Sequence, residues 1–474
     1  MRSALTLGAV AIAATTTLVH CASQDVPLGL VEDAGQSEDG ASEAEADSGV
    51  DAGADVSDAA TEDEYDIPDG SVTCEASPCV VAVSGDFGMS GSFASFCALL
   101  EDKTVQCWGS NVHMKLGYET EERFYDMFPM SSAPHRVPNL SGVTSVSVGG
   151  DNVCARKEDG SVFCWGQAAL VGAGMSPDAG PPSASGALPT RMDLVPLAKD
   201  VALGSGTACV TSATGGLSCW GSNASLQLAR RPSEPLAGPS EIPLGGRPLA
   251  FAAPGHGSVF AVTTSGEVLS WGRAGGLSCG GLPASSCDVL LGRETSEDPD
   301  PVPRLIPGLS KVRAVASASD HTCAIVGRRV ECWGANSNGA LGRGDSDYDY
   351  KFPAPTILSL VIESEDADAG APQRADIPLQ IASQGPRSCA VMGSGRVYCW
   401  GWVSEQQTPH EPGLPTRVDG LSGPAVALAV SGQTACALLR SGAVECWGSN
   451  ILGALGRGFS EFAELPPAPV NFEQ

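Results

Sequence analysis

One phrase is written seven times along the chain. It reads CALLEDKTVQCWG at 97–109, CARKEDGSVFCWG at 154–166, CVTSATGGLSCWG at 209–221 and FAVTTSGEVLSWG at 260–272. It returns as CAIVGRRVECWG at 323–334, CAVMGSGRVYCWG at 389–401 and CALLRSGAVECWG at 436–448. Its tryptophans, Trp108, Trp165, Trp220, Trp271, Trp333, Trp400 and Trp447, recur at intervals from 47 residues (Trp400 to Trp447) to 67 (Trp333 to Trp400). A unit of that size, repeated in register, needs its neighbours to bury a core. The chain is therefore expected to fold as a repeat array rather than as independent domains.

The spacing of the cysteines says what each phrase is. With Cys154 and Cys164 as cross-strand partners, Ala155 faces Phe163, Arg156 faces Val162 and Lys157 faces Ser161, leaving Glu158-Asp159-Gly160 as the loop. Three-residue hairpin loops take a type I turn followed by a left-handed residue, where glycine costs least. The same count puts Gly215, Gly266, Gly395 and Gly442 at the third loop position; only Lys103 breaks the rule, and strain is expected there. In the fifth unit the loop shortens to Gly327-Arg328, a glycine-first pair suited to a type II′ turn, and Cys323 still faces Cys332. In both loop types the thiols fall on a non-hydrogen-bonded pair, where Cα atoms approach to about 4.5 Å, within disulfide range. The fourth unit replaces both thiols together, with Phe260 and Ser270, as bonded partners would.

The expected bridges are thus Cys97 to Cys107, Cys154 to Cys164, Cys209 to Cys219, Cys323 to Cys332, Cys389 to Cys399 and Cys436 to Cys446. Cys74 and Cys79 bracket EASP before the first unit, and Cys279 and Cys287 bracket an excursion in the fourth. These eight pairs consume sixteen of the 17 cysteines and leave Cys21 alone. Zinc knuckles want two close pairs with two to four residues between members; no C-x-x-C occurs, and no metal or cofactor is expected.

Each hairpin is preceded by an alternating strand that ends in small residues, such as VTSVSVGG (143–150) or VALAVSG (426–432), and before that by a Pro-containing segment such as APHRVPNL. Three or four short strands per unit, seven times over, without helical periodicity, imply an all-β fold, a seven-bladed β-propeller. The first unit begins directly at VVAVSG (80–85) while the chain ends with LPPAPVNF (465–472), so the C-terminal segment is expected to supply the outer strand of the first blade. The run of small-residue strand, C-A-L with a turn, V-x-C-W-G and N-x-x-G-x-L-G resembles the repeats of the regulator of chromosome condensation family. WGANSNGALGRG (333–344) and WGSNILGALGRG (447–458) carry its full tail, blade one keeps part of it, and blades two, four and six have largely lost it. The resemblance spans residues 80–474, is closest to cysteine-bearing bacterial members, and implies a seven-bladed ring with the tryptophans as blade-packing core.

The N-terminus, MRSALTLGAVAIAATTTLVHC, has one basic residue, an apolar stretch from Ala4 to Val19, and then Cys21. It reads as an export signal and resembles a bacterial lipoprotein signal, with Leu18 three positions before the cysteine and His20 as its departure from that pattern. Residues 1–20 are therefore read as a signal peptide, with Cys21 as the lipid-attachment site. Residues 22–73 hold sixteen Asp and Glu and no Lys or Arg, so 21–73 is read as a disordered acidic tether and 74–474 as the propeller. Export permits disulfides. A bacterial cell envelope, membrane-anchored or at the cell surface, is the expected location.

Function is bounded mainly by exclusion. A net charge of -28 leaves no basic patch for nucleic acid. The six histidines are scattered over different units, and no G-x-S-x-G, H-E-x-x-H or phosphate loop appears, so no enzyme and no catalytic residue is expected. His321 is read as structural. Arg343-Gly344-Asp345 spells an adhesive tripeptide but lies in the motif tail, and Asn139 and Asn223 match glycosylation acceptors. The exchange-factor activity of the family's founding member is not carried over, because fold alone does not license function. Trp402 is the aromatic expected to be exposed, and insertions at 119–132, 345–355 and 362–376 are the loops expected to project. The expected function is a monomeric, non-enzymatic protein–protein interaction module that meets the membrane only through its lipid. The alternatives are a secreted hydrolase inhibitor, since a bacterial inhibitor of β-lactamases has a similar propeller, or a carbohydrate binder.

Overall fold

The computed structural model describes residues 70–87, 93–175, 186–275, 290–344, 356–358, 376–402 and 413–473. The signal, Cys21, most of the acidic segment, Cys279, Cys287, Asp345 and the greater part of the insertions after 344 lie outside them. Seven antiparallel sheets succeed one another along the chain, six of four strands and a first of five. In blade two the order from the axis outward is Val143–Gly149, Asn152–Lys157, Val162–Gly166 and Ala187–Arg191.

The hairpins have the register that their spacing requires. Cys154 pairs with Cys164, Ala155 with Phe163 and Arg156 with Val162. Lys157 and Gly160 close the turn, with Gly160 at φ 81°. Lys103, at the corresponding place in blade one, is held at φ 63°. Gly327 sits at φ 56° in the two-residue turn of blade five, and Cys323 still opposes Cys332. The six hairpin bridges have Cα separations of 4.0 to 4.1 Å, as non-hydrogen-bonded pairs allow.

Small residues on the innermost strands follow from convergence on the axis. A Cβ on Gly204 would lie 2.4 Å from the Gly255 carbonyl of the next blade. Neighbouring inner strands are laced by serine: Ser84 Oγ accepts from Val148 N and Ser147 Oγ from Leu203 N, each at 3.0 Å.

Between blades, the sulfurs of one face the tryptophan of the next. Cys97, Cys107 and Val105 of blade one share a cluster with Val153, Ala155 and Trp165 of blade two. All seven phrase tryptophans are fully buried. In blade four, Phe260 replaces the sulfur and meets Trp333 edge-on at 5.9 Å. Ser270, its partner, is held by Arg293, whose buried guanidinium also pairs with Asp300 at 3.0 Å.

Ring closure differs from the expectation. The C-terminal strand Glu464–Pro469 pairs with Val444–Ser449 in blade seven, not with blade one, whose outer strand is Phe128–Arg136. Each Pro-containing segment therefore closes the blade before it. The physical reason is local: the chain leaves the third strand and returns beside it, on an outer edge where proline removes no needed donor. The ring instead closes through side contacts. Val470 and Phe472 pack with Trp108 against blade seven's Leu438 and Val444. The bridged loop Cys74 to Cys79 docks on blade seven's turn, with Thr73 N donating to Arg440 O, and Glu75 N and Ala76 N to Ser441 O. A short helix, Ala168–Gly174, also occupies blade two where the motif tail is lost; the all-strand pattern predicts no helix there.

Candidate binding rim

The two ends of the ring differ. One carries the hairpin turns such as Glu158-Asp159-Gly160. At the other the innermost strands turn back, and the chain leaves each third strand after its Trp-Gly pair. That exit is organised by the asparagine of the motif tail. Asn450 Oδ1 accepts from Leu455 N at 3.2 Å, and its Nδ2 donates to Phe459 O at 3.1 Å. Asn111, Asn223 and Asn336 likewise accept from the backbone N–H five residues on. The loop so shaped offers a carbonyl to the next blade: Trp108 Nε1 donates to Ala454 O, Trp165 to Lys115 O and Trp400 to Ala340 O, each at 3.0 Å. Trp220 and Trp447, which follow blades two and six, have no acceptor for their indole N–H groups among the described residues, whereas Trp333, after blade four, which also lost the tail, donates to Leu290 O at 3.0 Å. Asn223 is fully buried and committed to the backbone, which removes it as a glycan acceptor.

On this end, between blades six, seven and one, lies an apolar cleft of about 330 Å³ walled by Trp402, Phe93, Pro386 and Ile451. Its floor is Arg387, fully buried, with Nη1 donating to Gln433 O at 3.2 Å; burial pushes the guanidinium down to about 10, opposed by Glu464. The Phe93 wall is pinned by Lys115, whose buried ammonium donates to Phe93 O at 3.0 Å. Burial lowers that amine to about 8, against the pull of Asp151 and Asp86.

From the cleft an aromatic run crosses the seam between blades one and seven. Phe93 meets Phe128 edge-on at 5.7 Å, Phe128 pairs with Phe124 in the 119–132 insertion, and Phe124 contacts Tyr125 at 4.7 Å and Phe462 at 5.0 Å. That insertion is folded: Arg123–Phe124 adds a fifth strand to blade one. Trp402, Tyr125, Met127 and Phe462 are 54%, 66%, 69% and 66% exposed, and Tyr125 and Phe462 touch each other, so their rings form one exposed apolar patch. Glu119, Glu121, Glu122, Asp126 and Glu461 are exposed among them.

Nothing comparable for covalent chemistry is assembled among the described residues. The central channel, about 490 Å³, is lined mostly by Val, Ala, Ser and Gly, with Asp86, His256, Gln380 and Gln384 among its polar side chains. Burial and then Arg273 lower the His256 imidazole, against Asp320. His321 Nε2 lies 2.7 Å from Ser388 Oγ, but both are sealed in the core between blades five and six. Cys74, Cys79 and Glu101 come together, but the two sulfurs are bonded to each other, which removes both thiolates as metal ligands.

Comparison with known proteins agrees with this geometry. Residues 143–168 match the regulator of chromosome condensation repeat. The human probable E3 ubiquitin-protein ligase HERC6 is 29% identical over 184 residues, 37% of this chain and 17% of that protein. Protein pim1 of Schizosaccharomyces pombe is 24% identical over 357 residues, 70% of this chain and 63% of that one. This chain thus spans less than two thirds of either relative. The crystal structure of yeast Prp20 bound to Kap60 superposes with a TM-score of 0.62 at 18% identity, over 85% of this chain and 87% of that one.

Proposed function

We propose, from the premise that this chain carries repeats of the regulator of chromosome condensation family, that it is a non-enzymatic protein-docking module using the rim at blades six, seven and one. The observation that carries the reading is the solvent-exposed aromatic run joined to the Trp402 cleft. Rigid blades hold it, and a preordered surface pays little entropy on binding. Yeast Prp20, which shares the fold, was crystallised with a protein partner, Kap60, and that favours a protein ligand here. The chain acts as a monomer outside the cytoplasm, where its cysteines remain oxidised, and is tethered to a bacterial envelope by lipid on Cys21. The acidic segment from 22 to 73 spaces the ring from the membrane.

A photo-crosslinking residue placed at Tyr125 or Trp402 is expected to trap a partner in intact cells, whereas one at Glu101, on the opposite end, is not. Crosslinks from the Glu101 end alone overturn the assignment of the rim. Labelling with radioactive fatty acid should mark the wild type and not Cys21→Ala; equal labelling overturns the anchor.

A further inference from the structure

We infer that the segment seated on this rim is cationic, with an apolar residue in the Trp402 cleft and flanking arginine or lysine side chains laid over Tyr125 and Phe462. The inference rests on the docking reading above and adds the partner's chemistry.

Three observations point the same way. First, rings and acids alternate: Asp126 follows Tyr125 directly, Glu461 precedes Phe462, and Glu119, Glu121 and Glu122 stand on the same insertion. An aromatic face beside carboxylates attracts a cation twice, through the ring quadrupole and through charge. The insertion's one base, Arg123, is turned back on its own loop, its Nη1 donating to Thr120 O at 2.7 Å and Glu122 O at 3.1 Å. Second, the cleft itself has apolar walls and a guanidinium in its floor, so it takes an aliphatic or aromatic side chain and repels a deeply inserted cation. The basic groups therefore belong outside it, over the platform. Third, charge disfavours the occupants this chain could supply. Residues 22–73 carry sixteen acids and no Lys or Arg, and a second copy brings a net charge of -28 with the same acids facing its own. Like charges brought together at an interface are costly.

The test uses the purified full-length chain and a fluorescent peptide alternating arginine with leucine, against the same peptide with citrulline for arginine. Anisotropy at physiological ionic strength should show the arginine peptide binding at least about tenfold tighter. Tyr125→Ala with Phe462→Ala, and separately Asp126→Asn with Glu461→Gln, should each weaken it about tenfold with unchanged circular dichroism. Glu101→Gln with Glu158→Gln changes the net charge equally on the opposite end and should leave binding unaltered. Equal binding of the citrulline peptide overturns the inference, as does equal weakening by the two charge pairs, which would mean attraction to net charge alone. Preferential binding of an acidic peptide copied from residues 38–64, or a concentration-dependent dimer abolished by Phe462→Ala, also overturns it. A rim crosslink to an acidic or uncharged segment refutes the cationic partner while leaving the docking surface in place.

Discussion

Replacing His321 with glutamine should remove one identifiable part of the protein's acid sensitivity. His321 lies on the second strand of blade five with 1% exposure, and its Nε2 meets Ser388 Oγ of blade six at 2.7 Å. Burial alone lowers its pKa from 6.5 to about 4, with no opposing charge. Between those values the unfolded chain binds the proton and the folded chain does not. The associated stability is therefore fully present above pH 6.5 and is lost as pH falls through the window to about 4. Integrating the difference gives about 3 kcal/mol lost by pH 4, at about 1.4 kcal/mol for each tenfold difference in proton affinity. Glutamine keeps a hydrogen-bonding group for Ser388 but cannot ionise. Guanidinium unfolding midpoints of wild type and His321→Gln, measured at pH 7 and pH 4, should show the wild type losing about 3 kcal/mol more than the variant. Carboxylate contributions are common to both proteins and cancel. Identical losses would refute a buried neutral imidazole, as would a resonance for His321 titrating near 6.5.

Lys103→Gly should stabilise the chain by about 1 kcal/mol, because the left-handed conformation penalises a side chain and the half-exposed pair with Glu158 returns little; an unchanged or lower unfolding midpoint contradicts this. Replacing Cys154 and Cys164 together by valine should cost about 2–3 kcal/mol, and non-reducing peptide maps of the wild type should join 154 to 164. Asn450→Ala leaves Leu455 N and Phe459 O without their partner and should cost about 1–3 kcal/mol, with faster hydrogen exchange at Leu455; exchange unchanged there would mean that the loop holds itself.

The hairpins are legible in the sequence because a disulfide needs a fixed geometry: thiols nine or ten positions apart, with glycine at a stated loop position, admit few structures. The tail asparagine is legible as a motif but not as a device, since its partners, Leu455 and Phe459, carry no pattern of their own. The phase of the repeat is not legible, because the proline segment lies equally near both hairpins in sequence. Only pairing, Gln106 with Arg136 and Cys107 with His135, decides that it closes the earlier blade. The rim is half visible. Trp402 and the 119–132 insertion stand out, but Phe93 meets Lys115 only once blade one has folded, and Phe462 reaches Phe124 only because blade seven returns beside blade one, a relation that no local window contains.

The bridged loop at Cys74 to Cys79 has a mechanical corollary. Strand 80–87 belongs to blade one, yet the residues just before it are hydrogen-bonded to blade seven at Arg440 and Ser441. A pull on the chain from upstream meets the bond from Thr73 N to Arg440 O on blade seven before it reaches the first innermost strand. The covalent loop then carries the load from Cys74 straight to Cys79, beside the first strand of blade one, so a leash attached at that end would draw on both terminal blades.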